Sequence, residues 1–186
     1  MKKILSLGFV LLLCVTAIRS HGAEYVFDKP GQHVFITFKA SHLGYSYILG
    51  HFEDFNGSFA YDPETPEDSN VQVTIDVQSL DTDHAERDKH LRGPGYFDVE
   101  TYPSITFASS SYAGSSTNGI LTGNLTLRGV SKTIAIDVSK IGEGDDPWGG
   151  YRSGFEGSVI LDAGNYGLPA WIGDVEVYLV VEGVRQ

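Results

Sequence analysis

The chain predicts an all-β fold of antiparallel sheet: about eight strands in one domain, with one short charged helix at about residues 83–92. Two observations predict the sheet and one predicts the helix. Apolar and polar residues alternate two by two through most of the sequence, the period of a strand with one face buried and one face wet. Turn-forming clusters separate the alternating runs: Lys29-Pro30-Gly31, Asp62-Pro63, Arg128-Gly129-Val130 and Gly142 to Pro147. Residues 80–103 break the pattern with dense charge, then glycines, then Tyr96, Phe97 and Tyr102. About eight one-faced strands must hide their apolar sides from water, and a closed barrel or a two-sheet sandwich does so.

In chain order, residues 1–23 read as a signal peptide and 24–186 as the domain. Lys2 and Lys3 precede an apolar run from Ile4 to Ile18, and Ser20, Gly22 and Ala23 offer small residues for cleavage. The run is short for a membrane span, and Leu11 to Leu13 before Cys14 do not suit lipid attachment. Strands are expected at Val34–Ala40 and Phe52–Asp62, then at Val71–Gln78, where Val71, Val73, Ile75 and Val77 oppose polar partners. The helix follows, with Asp83 as N-cap, Glu86 completing a capping box and Gly93 as the stop. Lys89, His90 and Arg92 occupy its last turn, where cations suit the helix dipole. Ala85 and Leu91 give it little apolar surface. Ser104–Tyr112 is the next strand. Leu121, Leu125 and Leu127 mark another, Ile134, Ile136 and Val138 a further one. Gly154–Leu161 and the stripe Val175, Val177, Leu179 and Val181 complete the set. Leu43–Phe52, Asp145–Phe155 and Tyr166–Gly173 read as Gly-rich, aromatic-bearing loops, compatible with a pocket rim or with barrel-end plugs.

Composition narrows the function. The formal charge is −11, and loss of Lys2, Lys3 and Arg19 with the leader deepens it. Such a charge opposes nucleic acid and anionic surfaces as partners. The single cysteine, Cys14, lies in the leader, so the domain has no thiol or disulfide chemistry. No later segment is long and apolar enough for a membrane anchor, though transient membrane contact stays open.

Catalytic signatures are sparse. HExxH, GxSxG, CxxC and a P-loop are absent from the sequence. His84 and His90 are spaced off one helical face, so a metal enzyme using the helix histidines is the weaker alternative. Asp145-Asp146 before Pro147 suit turn initiation or pairing with Arg152. Periodicity alone leaves two meanings for the apolar stripes: a filled core, or a barrel wide enough for one slender ligand.

Three motifs then appear in order. His42-Leu43-Gly44-Tyr45-Ser46, Asp83 to Arg92 continued by Phe97, Tyr102 and Pro103, and Gly144 to Gly150 with Arg152, Gly154, Phe155 and Glu156 resemble the signatures of the YceI-like family. The resemblance implies a periplasmic, lipocalin-like, eight-stranded antiparallel barrel that binds an isoprenoid lipid, polyisoprenoid or quinone-type, without catalysis or cofactor. It also implies a homodimer as the expected oligomer. Carried onto this sequence, Phe38, Leu43, Phe52, Val73, Ile75 and Leu91 would contact the ligand. So would Phe97, Phe107, Leu125, Leu127, Phe155 and Trp171. His42, Tyr45, Arg87, Asp88, Trp148 and Arg152, on or beside the non-strand motifs, would select the head group.

Overall fold

The computed structural model describes residues 22–29 and 33–186. The segment expected as a signal peptide, residues 1–23, and the expected Lys29-Pro30-Gly31 turn therefore fall largely outside the described residues.

Eleven strands among the described residues form eight staves of one closed antiparallel barrel. Three staves are each made of two consecutive strands. β1 (Ala23–Phe27) and β2 (Phe35–His42) lie end to end along the last strand, β11 (Asp174–Arg185). β3 (Ser46–Phe52) and β4 (Phe55–Tyr61) form the second stave, and β5 (Asn70–Asp76) and β6 (Leu80–Asp81) the third. The last two bend at the same height: Glu53 N donates to Ser79 O (3.1 Å) and Asp76 N to Asp54 O (2.8 Å). The remaining staves are β7 (Ser104–Gly114), β8 (Asn118–Leu127), β9 (Val130–Asp145), β10 (Tyr151–Asp162) and β11. Pairing of β1 with both β4 and β11 closes the ring.

Most boundaries follow the alternation, and the exceptions are instructive. Residues expected as the loop Leu43–Phe52 are mostly strand β3. The loop is only the tight turn at Leu43 and Gly44, both with positive φ (54° and 76°), closed by Tyr45 N to His42 O at 3.0 Å. With Tyr45 these residues make a three-residue hairpin loop, because His42 pairs with Ser46. Arg128 and Gly129 (φ 50° and 72°) make a two-residue hairpin turn between β8 and β9, whose twist matches the flanking strands. Gly142 to Asp145, expected as a turn, continue β9, because small residues fit a curved barrel strand as well as a turn. Reversal waits for Asp146, whose Oδ1 accepts from Trp148 N (2.8 Å) and Gly150 N (2.9 Å).

Helix α1 (Ala85–Arg92) is where it was expected, but its caps differ. His84 is the N-cap, its Nδ1 accepting from Arg87 N at 3.2 Å. Asp83 stands one residue outside with φ 59°, so the Asp83–Glu86 capping box does not form. Gly93 ends the helix with φ −71° rather than in the left-handed region. The helix is also more than a solvated charged turn. Asp88, 5% exposed, accepts from Thr82 N at 3.0 Å and from the Thr82 hydroxyl. Arg87 Nε donates to Thr82 Oγ1 at 2.7 Å, and Arg92 donates to Leu80 O. Its charges clamp it to the buried chain at Leu80 and Thr82, doing the work that an apolar face does on other helices.

Candidate functional site: an apolar barrel interior with a framed mouth

Inward-facing side chains decide whether the barrel is solid. At the two ends they are buried, but along the middle Val71, Val73, Ile75, Ile134, Val138, Val159, Leu161, Val177 and Leu179 are only half-buried although they point inward. They line a hollow. A lower chamber of about 180 Å3 runs from Phe59, Tyr61 and Phe155 up to Ile75 and Leu161. An upper chamber of about 280 Å3 continues to Ser41, His90 and Trp171. Both are walled by Ile36, Ile75, Leu125, Leu161 and Val177, so these five residues form a waist between two parts of one interior. Together the chambers reach the size of small-molecule sites, roughly 300–1,000 Å3.

The floor is aromatic. Tyr25 stacks on Phe59 at 4.8 Å, and Phe155 meets Phe59 and Tyr61 edge-on at 5.5 and 5.0 Å. Tyr25, Phe27, Phe59 and Tyr61 are all nearly fully buried. Tyr61 donates to Ser116 O at 2.9 Å and accepts from Lys140 at 3.2 Å. Burial pushes the Tyr25 phenol above its ordinary pKa, with the neighbouring Arg185 charge opposing it. Gly183 is required here, because a Cβ on it would fall within the Phe59 ring.

Outside the floor, Arg152 gathers Asp28, Asp146 and Glu182. The Asp146 carboxyl is held below the usual carboxylate range by the backbone N–H of Gly150 and then by Arg152. Hydrogen bonds to Asp28 and Asp146 raise the guanidinium pKa further against burial. His33 Nδ1 lies 3.2 Å from Asp28, and the Trp148 ring lies under the guanidinium at 5.2 Å.

The mouth is framed by three parts. One is α1 with the loop 93–103, folded back by bonds from Phe97 N to Leu91 O (2.9 Å) and Val99 N to Arg92 O (3.1 Å). Another is 163–173, with two short 3₁₀ turns at Ala163–Tyr166 and Ala170–Ile172. The third is the β2–β3 hairpin, whose Ala40, Ser41 and Ile48 line the upper chamber. Tyr96 joins the first two frames, edge-on to His90 at 4.9 Å and to Trp171 at 6.4 Å. Arg128, in the β8–β9 turn, donates to Gly167 O and to Pro94 O (3.4 Å), so one side chain straps both. Ser41, Arg87, His90 and Tyr96 bring polar side chains to this chamber, and no carboxylate lines it.

Of the residues nominated from sequence, Phe38, Phe52, Ile75, Arg87, Leu91 and Phe97 line the upper chamber, as do Leu125, Leu127 and Trp171. Val73, Phe107 and Phe155 line the lower one. The other six are not brought to the interior. His42, Leu43 and Tyr45 form the exposed hairpin tip beside the mouth, and Asp88 is committed to Thr82. Trp148 and Arg152 belong to the opposite end, where β10 begins. The segment around Trp148 turns the chain from β9 into β10. Ile36, Leu161 and Val177 at the waist were not nominated, although their strand register marks them as inward. His90 and Ser41 carry no local pattern that announces them.

Among the described residues, Asp28–His33–Glu182 and His51–Glu53–Asp81 are close enough to share an ion. Neither group includes His84 or His90, and Arg152 already pairs with the first. His84 Nδ1 accepts the Arg87 N–H at the start of α1.

Fold and site define a class: a single-domain, closed antiparallel barrel with an apolar interior reached through a mouth framed by a helix and loops. The model of the YceI-like domain matches residues 25–183, and the chain belongs to that family. A UPF0312 protein of Pseudomonas aeruginosa is 47% identical over 98% of this chain and 96% of its own length. One from Pectobacterium atrosepticum is 46% identical over 100% and 98%. The crystal structure of the Campylobacter jejuni YCEI protein superposes with a TM-score of 0.72 at 28% identity, covering 78% of this chain and 90% of that one. A polyisoprenoid binding domain from Saccharophagus degradans shares the fold with a TM-score of 0.64 at 17% identity, covering 88% and 99%.

Proposed function

We propose that the chain is an exported, periplasmic binding protein that holds an isoprenoid lipid, polyisoprenoid or quinone-type, with its tail in the barrel and its head at the mouth. The observation that carries this reading is the continuity of the interior: two apolar chambers meet at a shared waist. Kinship with YCEI proteins, and a fold shared with a polyisoprenoid binding domain, support the ligand class. An apolar chain filling this volume replaces void with contact. Filling a cavity in this way recovers the contacts that its lining lacks.

A tail of many apolar carbons, each worth about 0.8 kcal/mol on burial, leaves a bilayer for an equally apolar wall. The exchange is close to neutral, which suits a carrier that must take up and release. Selection then falls to Arg87, His90, Ser41 and Tyr96, which offer donors to a head group rich in acceptors. The activity is sequestration and transfer, without bond chemistry.

Extraction of protein purified from its native host, followed by mass spectrometry of the organic phase, tests the reading. Recovery of an isoprenoid lipid in near-stoichiometric amount is expected. Protein that carries no lipid and takes up no added long-chain quinone would refute it.

A further inference from the structure

Two segments border the mouth where β2 meets β11: residues 40–52 and 163–173. Neither contains an Asp, Glu, Lys or Arg, in a chain that is 20% charged and carries 24 acidic residues. Val175 pairs with Ala40, so Trp171 just before that strand and the hairpin tip just after it rise together. Large apolar side chains project from both: Leu43 is 69% exposed, Tyr45 87% and Trp171 67%. Leu43 does so from a left-handed backbone position (φ 54°) that Asn, Asp or Gly would fill at lower cost. A strained position given to an exposed leucine serves something outside the fold.

We propose that this uncharged crown is a docking surface for a zwitterionic lipid bilayer, entered by Leu43 and flanked by Tyr45 and Trp171 at the headgroup level. The proposal rests on the carrier reading above, since a tail can be exchanged only if the mouth meets the lipid store. Charge chooses the occupant. A net charge of −11 repels an anionic surface, whereas a charge-free crown matches a surface with no net charge. Tyr and Trp favour the membrane–water boundary. So small an apolar insertion binds weakly and reversibly, as repeated visits require. At the other end, Arg152, Asp28, Asp146 and Glu182 make a charged face, so docking is mouth-first.

The test uses protein purified from its native host and phosphatidylcholine vesicles, with Trp171 emission read in a Trp148→Phe background. Expected are a blue shift and quenching by brominated phosphatidylcholine, both unchanged by added salt. In a Trp171→Phe background, Trp148 should show neither. Leu43→Asn with Tyr45→Ser should lower vesicle partitioning about tenfold or more, while quinone uptake from detergent solution persists. Leu43→Asn alone should raise Tm, because Asn tolerates the left-handed turn, which separates lost docking from lost folding. The proposal is overturned if the double variant partitions like the parent, or if binding needs anionic lipid and vanishes in salt. It is also overturned if the crown proves to join two copies, seen as a concentration-dependent dimer that the double variant abolishes. Vesicle docking by protein that takes up no quinone would leave this surface standing and remove the carrier reading instead.

Discussion

The two ends of the barrel are built from the same alternating strands and yet solve opposite problems. At the floor, six aromatic rings from β1, β4 and β10 pack against each other and against backbone at Gly57 and Gly183, and one guanidinium ties three carboxylates outside them. At the mouth, the staves give way to α1 and two loops that touch through single contacts, Tyr96 with Trp171 and Arg128 with Gly167 and Pro94. The floor spends its side chains on each other. The mouth leaves several for something else: Ser41 and His90 face the chamber, and Trp171 faces both chamber and water. Stability is concentrated where nothing has to pass, and the looser packing lies where a ligand would enter.

This contrast can be broken by experiment. The largest effect is expected at the waist. Val177→Trp fills the passage between the chambers and shuts the lower one to a tail. Affinity for a long isoprenoid should fall by roughly a hundredfold, the value of several buried methylenes, while a short-chain analogue binds as before. Equal loss for both lengths would mean that the chambers are not one site. Next, Gly183→Val drives a side chain into the Phe59 ring and should cost about 2–3 kcal/mol in urea unfolding, with head-group preference intact. Arg152→Leu removes the partner of two carboxylates that are nearly buried, Asp28 and Asp146. Its Tm should fall clearly below that of the parent with lipid selectivity unchanged; a selectivity change would restore Arg152 as a head-group residue. By contrast, Arg87→Met at the mouth should alter head-group preference as well as loosen α1.

The smallest effect concerns acid. Because the Asp146 pKa is depressed in the folded protein, its contribution is complete above the unfolded carboxylate value near pH 4. It is lost as pH falls through the lower folded value. Asp146→Asn should therefore flatten the acid limb of a Tm–pH profile at the floor end. A limb unchanged by this substitution would show that the clasp does not titrate.

The sequence told strand from helix well, because period-two alternation survives wherever one side faces an interior, as at Val71 to Ile75 and Leu121 to Leu127. It failed on β3, whose Ser46 to Phe52 alternate badly: Tyr47 and Leu49 lie on the outside and erase the polar beat. It also failed at Gly142 to Asp145, where small residues read as a turn within β9. Hollow and solid cores share one alternation, so the cavity itself was legible only through the family signature. Motif position drew candidates from both ends of the barrel for a physical reason. Trp148 sits in the β9–β10 turn with Arg152 just inside β10, and Arg87 sits on α1, but sequence does not say at which end of the barrel each connection lies.

A vessel served through its mouth alone would fill and empty in one order. What goes in last comes out first, and a second guest cannot slip past the first. Exchange in the bound state then proceeds by departure followed by arrival. The off-rate of a stored lipid should be indifferent to how much competitor is present in solution, and its outermost atoms stay within reach of any reaction at the doorway while the rest remains stowed against the rings below.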